Sequence, residues 1–191
     1  LYPWEHISFM PIQILPPELA AKIAAGEVIE RPASVVKELV ENAIDAEADD
    51  IRIEISQGGR RMIGVSDNGC GIPADQVETA FARHATSKLS SVEDLYRVRT
   101  LGFRGEALAS IASVSRMTLS TRTEDEAVGT TIVYEGGRLQ RTAPVARNRG
   151  TEVAVENLFF NTPARLKFLR TDATESGHVA RLISSYSLAF P

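Results

Sequence analysis

The sequence of 191 residues holds one cysteine, Cys70, and one tryptophan, Trp4. A lone thiol cannot form an internal disulfide, and a zinc site built on several thiolates is excluded. So thiol-poor a chain suits a reducing compartment. No apolar run approaches the roughly 20 residues needed to cross a bilayer as a helix, and no secretory signal stands at the start. We therefore expect a cytoplasmic protein without a membrane role. Two glycine-rich fingerprints are also missing: neither G-x-x-x-x-G-K-[ST] nor G-x-G-x-x-G occurs, so any nucleotide is not gripped in the P-loop or dinucleotide-fold manner. There is no internal repeat and no low-complexity segment.

Hydrophobic residues make up 43% and charged residues 24% of the chain, the balance of an ordinary globular domain rather than a disordered one. The formal charge is -4, so a polyanion would have to be met by a local patch. Between positions 138 and 170 lie Arg138, Arg141, Arg147, Arg149, Arg165, Lys167 and Arg170, opposed by Glu152 and Glu156. The ordinary reading of such a run is a solvated face.

Residues 1–9 read as a leader foreign to the rest of the chain, ending just before Met10, and residues 10–191 as one domain. A proline-punctuated arm (11–17) leads to an apolar segment at 19–29. Pro32 suits the first turn of a helix, where a missing N–H costs nothing. Over 34–46 Val35, Val36, Leu39, Val40, Ala43 and Ile44 form one side, and Glu38, Glu41, Asn42 and Asp45 a polar stripe. Ile51, Ile53 and Ile55 alternate with Arg52 and Glu54 as in a half-buried strand, and Gly58-Gly59 turns the chain toward a partner strand at 62–65. Residues 75–84 and 105–114 pattern as helices, and 85–100 as a mobile loop. Strands are expected at 117–123, 130–135 and 151–156, with a short run around Leu139 after Gly136-Gly137 and a closing helix at 173–189. This order predicts an α+β fold: a two-layer sandwich of helices on a mixed, largely antiparallel sheet.

Four segments carry chemistry. Glu38 and Asn42 stand four apart, on one helix face; a carboxylate can deprotonate a water, and an amide oxygen is a hard ligand for Mg²⁺. On an isolated helix the same residues are an exposed polar stripe. Asp67-Asn68-Gly69-Cys70-Gly71-Ile72-Pro73 can be a plain turn, or an aspartate positioned to accept from a base amino group while glycine backbone comes close to the ring. Gly102-Phe103-Arg104-Gly105-Glu106-Ala107-Leu108 opens a helix with glycines whose N–H groups can face phosphate oxygens; upstream, Arg83-His84-Ala85-Thr86-Ser87-Lys88 offers hydroxyls and an ammonium for the same phosphates. Thr151 follows Gly150 at a strand start, where its hydroxyl can share a base-binding water with Asp67, although a β-branched residue belongs in a strand anyway.

Together and in this order, these segments resemble the GHKL superfamily of gyrase, heat-shock chaperone, histidine kinase and MutL ATPases. The stretches from Ile23 through Asn42, Arg83-His-Ala-Thr-Ser-Lys, Gly102-Phe-Arg-Gly-Glu-Ala-Leu and Phe160-Asn-Thr-Pro-Ala-Arg look like those of its mismatch-repair branch, MutL. The resemblance implies the Bergerat fold. It makes Glu38 the general base and Asn42 the Mg²⁺ ligand. It puts Asp67 on the adenine amino group, with Gly71, Ile72 and Thr151 nearby. Gly102, Arg104, Gly105, Glu106, Ala107 and Leu108 would line the phosphates, Asp45 and Phe103 would also bind the nucleotide, and Thr86, Ser87 and Lys88 would belong to the lid. It further implies a second, transducer domain and a C-terminal dimerisation domain beyond Pro191, so that turnover by these residues alone would be weak.

The leading expectation is a Mg²⁺-dependent ATPase whose nucleotide orders the lid and drives homodimerisation of the full-length protein. Such a protein would work with mismatch-recognition and downstream repair proteins and with DNA, in a bacterial cytoplasm at the nucleoid. The second is a nucleotide-gated module for DNA or repair partners, with Arg165, Lys167 and Arg170 as the candidate DNA contacts. A histidine-kinase reading lacks a phosphoacceptor context at His6, His84 or His178.

Overall fold

The computed structural model describes residues 13–86, 100–102 and 105–190. Helix α1, Pro17–Val28, opens on a proline in its first turn and stops where Ile29 swings to extended backbone and buries completely. After the extended Arg31, Pro32 opens helix α2, Pro32–Asp45. Val35, Val36, Leu39, Val40 and Ala43 are buried along one side of α2, as the 3.6-residue period demands. The expected polar stripe is split: Glu38 and Asn42 are partly exposed, but Glu41 is 6% exposed and belongs to the interior.

Strand β1, Ile51–Ser56, and strand β2, Met62–Asp67, form an antiparallel hairpin with Ile53 opposite Val65. Strands β3, Arg116–Arg122, β4, Gly129–Glu135, and β5, Arg138–Val145, form a meander, and β6, Gly150–Glu156, inserts between β2 and β3. Among the described residues every strand pair is antiparallel, so the sheet is more regular than the mixed one expected. β5 is longer than the short run read around Leu139. It is an almost wholly exposed edge strand without a buried face to pattern it, and Pro144 sits in it, a position that an edge strand tolerates.

Helix α3, Ala107–Ser113, helix α4, Pro163–Phe168, and helix α5, Asp172–Ala189, complete the helical layer. α4 was not foreseen; it is six residues long, buries none of them and so leaves no apolar period. α2 lies against β1 and β2, α3 against β3 and β4, and α5 against α2. The core between the layers is one cluster that includes Ile29, Val36, Ile63, Ile111, Met117, Leu119, Ile132, Val155 and Phe159. This is the two-layer arrangement of helices on a sheet.

One expected helix fails. Residues 75–84 form a turn and then a single 3₁₀ turn, Thr79–Phe81, which ends as Ala82 becomes extended. Val77 and Phe81 are buried and Phe81 stacks on Tyr134, with ring centroids 4.3 Å apart. Their four-residue spacing looked helical because both point to the core, but only one turn of chain is needed to deliver them. The lid segment at 85–100 is described only at Ala85, Thr86 and Thr100; its mobility lies outside the described residues.

Candidate active site

A cavity of about 950 Å³ opens between α2, the end of β2, the segment before α3, and β6. Glu38, Asn42 and Asp45 reach it from α2. Asp67, Gly71 and Ile72 border it from the turn after β2, and Thr151 from the start of β6. Thr86, Gly102, Gly105, Glu106, Ala107 and Leu108 line the remaining side. Ser87, Lys88, Phe103 and Arg104 lie outside the described residues.

Asp67 is the best-defined group. Its Oδ1 accepts from the backbone N–H of Gly69 at 2.9 Å and of Thr151 at 3.1 Å. No hydrogen bond to Oδ2 is made among the described residues. Burial pushes the carboxyl pKa up, against the two backbone hydrogen bonds and the charge of Arg147, which pull it down. One oxygen is therefore anchored and the other is an acceptor for whatever enters the cavity.

β6 makes this possible. Because it inserts beside β2 and β3, Thr151 lies across from Thr121, and the N–H of Thr151 reaches back over 84 positions to Asp67. Thr121, which the sequence did not single out, is fully buried. Its hydroxyl donates to Gly150 O at 3.2 Å, accepts from Ile72 N at 2.8 Å, and lies 3.1 Å from the Thr151 hydroxyl. With its own proton on Gly150 O, Thr121 accepts from Thr151, whose remaining lone pairs are left for the cavity. A threonine in a strand gives no sign of this in sequence; only the cross-strand pairing exposes it. The same turn needs Gly71, with φ +76° and space so tight that a Cβ would collide with Arg122 O.

On the opposite side, Asp45 accepts through both oxygens, from Leu101 N at 2.9 Å and Gly102 N at 3.1 Å. The Gly102 N–H is thus engaged by Asp45. Gly105 has φ +62°, and a Cβ there would collide with Ala85 O. The glycine lets the irregular segment at Ala85 pass directly over the start of α3. His84 Nδ1 lies 3.2 Å from Glu106 Oε1 and ties the same two segments.

The basic run does not form one face. Arg147 donates to Ser120 O and lies 3.9 Å from Glu152, and Arg149 donates to Gly69 O at 3.0 Å and lies 3.3 Å from Glu124, so both are engaged within the fold. Arg165 is tucked against Gly26, with its guanidinium 6.0 Å from the centre of the Phe159 ring. Lys167 and Arg170 are exposed, and their side chains make no ion pair among the described residues.

Residues 29–157 match the family described as histidine kinase-, DNA gyrase B-, and HSP90-like ATPase. The chain belongs to this family of ATPases. It is similar to the DNA mismatch repair protein MutL of Citrifermentans bemidjiense, 56% identical over 94% of this chain and 28% of that protein. MutL of Haemophilus influenzae is likewise 56% identical over 94% of this chain and 29% of its own length. The chain thus spans less than a third of the curated relatives it matches. Among solved structures, the Aquifex aeolicus MutL ATPase domain complexed with ADP aligns with a TM-score of 0.67 and 41% identity, over 84% of this chain and 56% of that one. The N-terminal domain of a DNA repair protein aligns with a TM-score of 0.73 and 32% identity, over 87% and 48%. The resemblance to the MutL branch drawn from the motifs holds over nearly the whole chain, and so does the GHKL fold.

Proposed function

We propose that this chain binds ATP with Mg²⁺ in the cavity beside α2 and hydrolyses it, as the nucleotide-binding part of a mismatch-repair protein of the MutL type. The observation that carries the reading is Asp67: one carboxylate oxygen is fixed by two backbone amides, the other is unengaged among the described residues, and Glu38 and Asn42 border the same cavity. An adenine amino group donates two hydrogen bonds, and Asp67 Oδ2 together with the lone pairs of Thr151 is an acceptor set for it.

Glu38 and Asn42 offer one carboxylate and one amide oxygen on the same helix face, a donor set that fits Mg²⁺, which keeps water and phosphate oxygens in its other positions. Bound there, the ion would be held by Asn42 and would neutralise phosphate charge. Glu38 takes the proton from the attacking water, which makes that water nucleophilic as the terminal phosphoryl leaves. Asp45 holds the segment at Gly102 against α2 so that the backbone before α3 meets the phosphates in a fixed place. By the MutL resemblance, Ser87 and Lys88 would serve the lid, Arg104 the phosphates and Phe103 the nucleotide. In the whole protein, nucleotide ordering of residues 85–100, dimerisation, and work with repair partners on DNA in the cytoplasm follow from the same reading.

Calorimetric titration with Mg²⁺ and a non-hydrolysable ATP analogue tests the pocket. Binding by the wild type that is lost in Asp67→Asn is the expected result, and equal affinity in the two would overturn the adenine assignment. Glu38→Ala should keep the analogue affinity and abolish turnover, since a base assists the reaction without holding the ligand; turnover at the wild-type rate would remove Glu38 from the mechanism.

The exposure of Lys167 and Arg170 without carboxylate partners among the described residues favours a second reading alongside the first, in which this surface touches the phosphate backbone of DNA.

A further inference from the structure

We propose that Tyr186 and Glu41 are positioning residues for Glu38, acting through the ammonium group of Lys37. Glu41 is a carboxylate inside the helical layer, and both its oxygens are occupied. Oε1 accepts from the Tyr186 hydroxyl at 2.5 Å and Oε2 from Lys37 Nζ at 2.8 Å. The same Nζ lies 3.5 Å from Glu38 Oε1. An ammonium group carries three N–H donors, so Lys37 holds the Glu41 and Glu38 carboxylates together, and all three residues border the cavity. Burial works against the charge of Lys37, but the hydrogen bond to Glu41 and the charges of Glu38 and Glu41 outweigh it and hold the ammonium protonated.

The chain of hydrogen bonds matters because Glu41 cannot be left short of donors. A buried carboxylate that loses a hydrogen bond draws on whatever cation is near. With Tyr186 in place, one oxygen of Glu41 is satisfied and the ammonium remains shared with Glu38. Without the phenolic hydroxyl, Glu41 pulls Lys37 onto both oxygens and away from Glu38. The general base then loses the ammonium contact at its Oε1. Tyr186 stands 145 positions from Glu41, near the end of α5, so the seating of α5 on α2 is read directly at the catalytic carboxylate.

This inference rests on Glu38 being the base. Steady-state ATP turnover and the affinity for a non-hydrolysable analogue are measured on the full-length protein for Tyr186→Phe, Lys37→Met, the double variant and Glu38→Ala. Tyr186→Phe should lower kcat about tenfold or more, the loss expected for one hydrogen bond to a charged group, with the analogue affinity unchanged. In the Lys37→Met background the same substitution should change kcat by less than about twofold, because coupled groups are not additive. Independent, multiplying effects would overturn the proposal, as would a kcat loss matched by an equal loss of analogue affinity. If Glu38→Ala is inactive while Tyr186→Phe turns over like wild type, the positioning role fails and the base survives. If Glu38→Ala turns over normally, the catalytic reading itself fails.

Discussion

The two oxygens of Asp45 clasp the backbone N–H groups of Leu101 and Gly102, at 2.9 and 3.1 Å, so the last residue of α2 holds a segment up to 57 positions downstream beside the cavity. Hydrogen bonds to a charged group are each worth about 1.5–3 kcal/mol. Asp45→Ala should therefore weaken binding of ADP or an ATP analogue by about tenfold or more, measured by calorimetry. An unchanged affinity would mean that the segment before α3 holds its position without α2.

Asp67 separates stability from binding. Its raised pKa means that the folded state grips the proton more tightly than the unfolded chain does. The stability that this confers is present at low pH and drains away as pH rises through the window above the ordinary value of 3.8. Asp67→Asn abolishes that loss while keeping an oxygen for the Gly69 and Thr151 amides. In thermal melts of the nucleotide-free protein, the variant should gain on the wild type as pH rises from acid to neutral, even though it binds nucleotide worse. A constant difference across that range would show that Asp67 does not titrate with folding.

Gly105→Ala should cost about 1–3 kcal/mol of stability, the range for a non-glycine residue forced into a left-handed conformation, and should weaken nucleotide binding with it. The added Cβ meets Ala85 O, a backbone atom that can yield only by moving the segment leading to the lid. Denaturant unfolding beside analogue titration checks both, and a stable variant with normal affinity would show that this crossing is dispensable.

The basic residues after β6 divide by burial. Lys167→Glu with Arg170→Glu should leave the melting temperature nearly unchanged. If this face binds DNA, log K against log salt should flatten by about 1.8 in slope, at roughly 0.9 for each phosphate no longer neutralised. Arg165→Ala should instead destabilise the fold, because its guanidinium fills the space beside Gly26 and lies near the ring of Phe159. A salt slope identical to wild type in the double variant would exclude that surface from DNA binding.

Much of the helical layer was legible in advance. α2 shows its apolar side and opens at Pro32, and α5 begins one residue before its expected start. Strands with one buried face, such as β3, β4 and β6, fell within a residue or so of their predicted bounds, because an alternating pattern records which face is wet. β5 leaves only a short run legible around Leu139, because an exposed edge strand has no buried face to pattern it. Residues 75–84 misled because two buried side chains at helical spacing need only one turn of chain between them. Glu41 passed for part of a solvated stripe, because its partner Tyr186 lies near the far end of the chain and no local pattern announces a hydrogen bond across 145 positions.

By itself the sequence determined which chemical groups are available. A carboxylate and an amide stand one turn apart on α2, an aspartate precedes a glycine turn, and glycines open α3, all dictated by local spacing and backbone sterics. Tertiary structure decided how those groups are used. The insertion of β6 between β2 and β3 brings the Thr151 amide to Asp67 and joins Thr121 to Ile72 and Thr151 at the cavity, while the packing of α5 on α2 links Tyr186 through Glu41 and Lys37 to Glu38. Pairings of this kind are set by which distant faces must be buried together, a global condition that leaves no period in the chain.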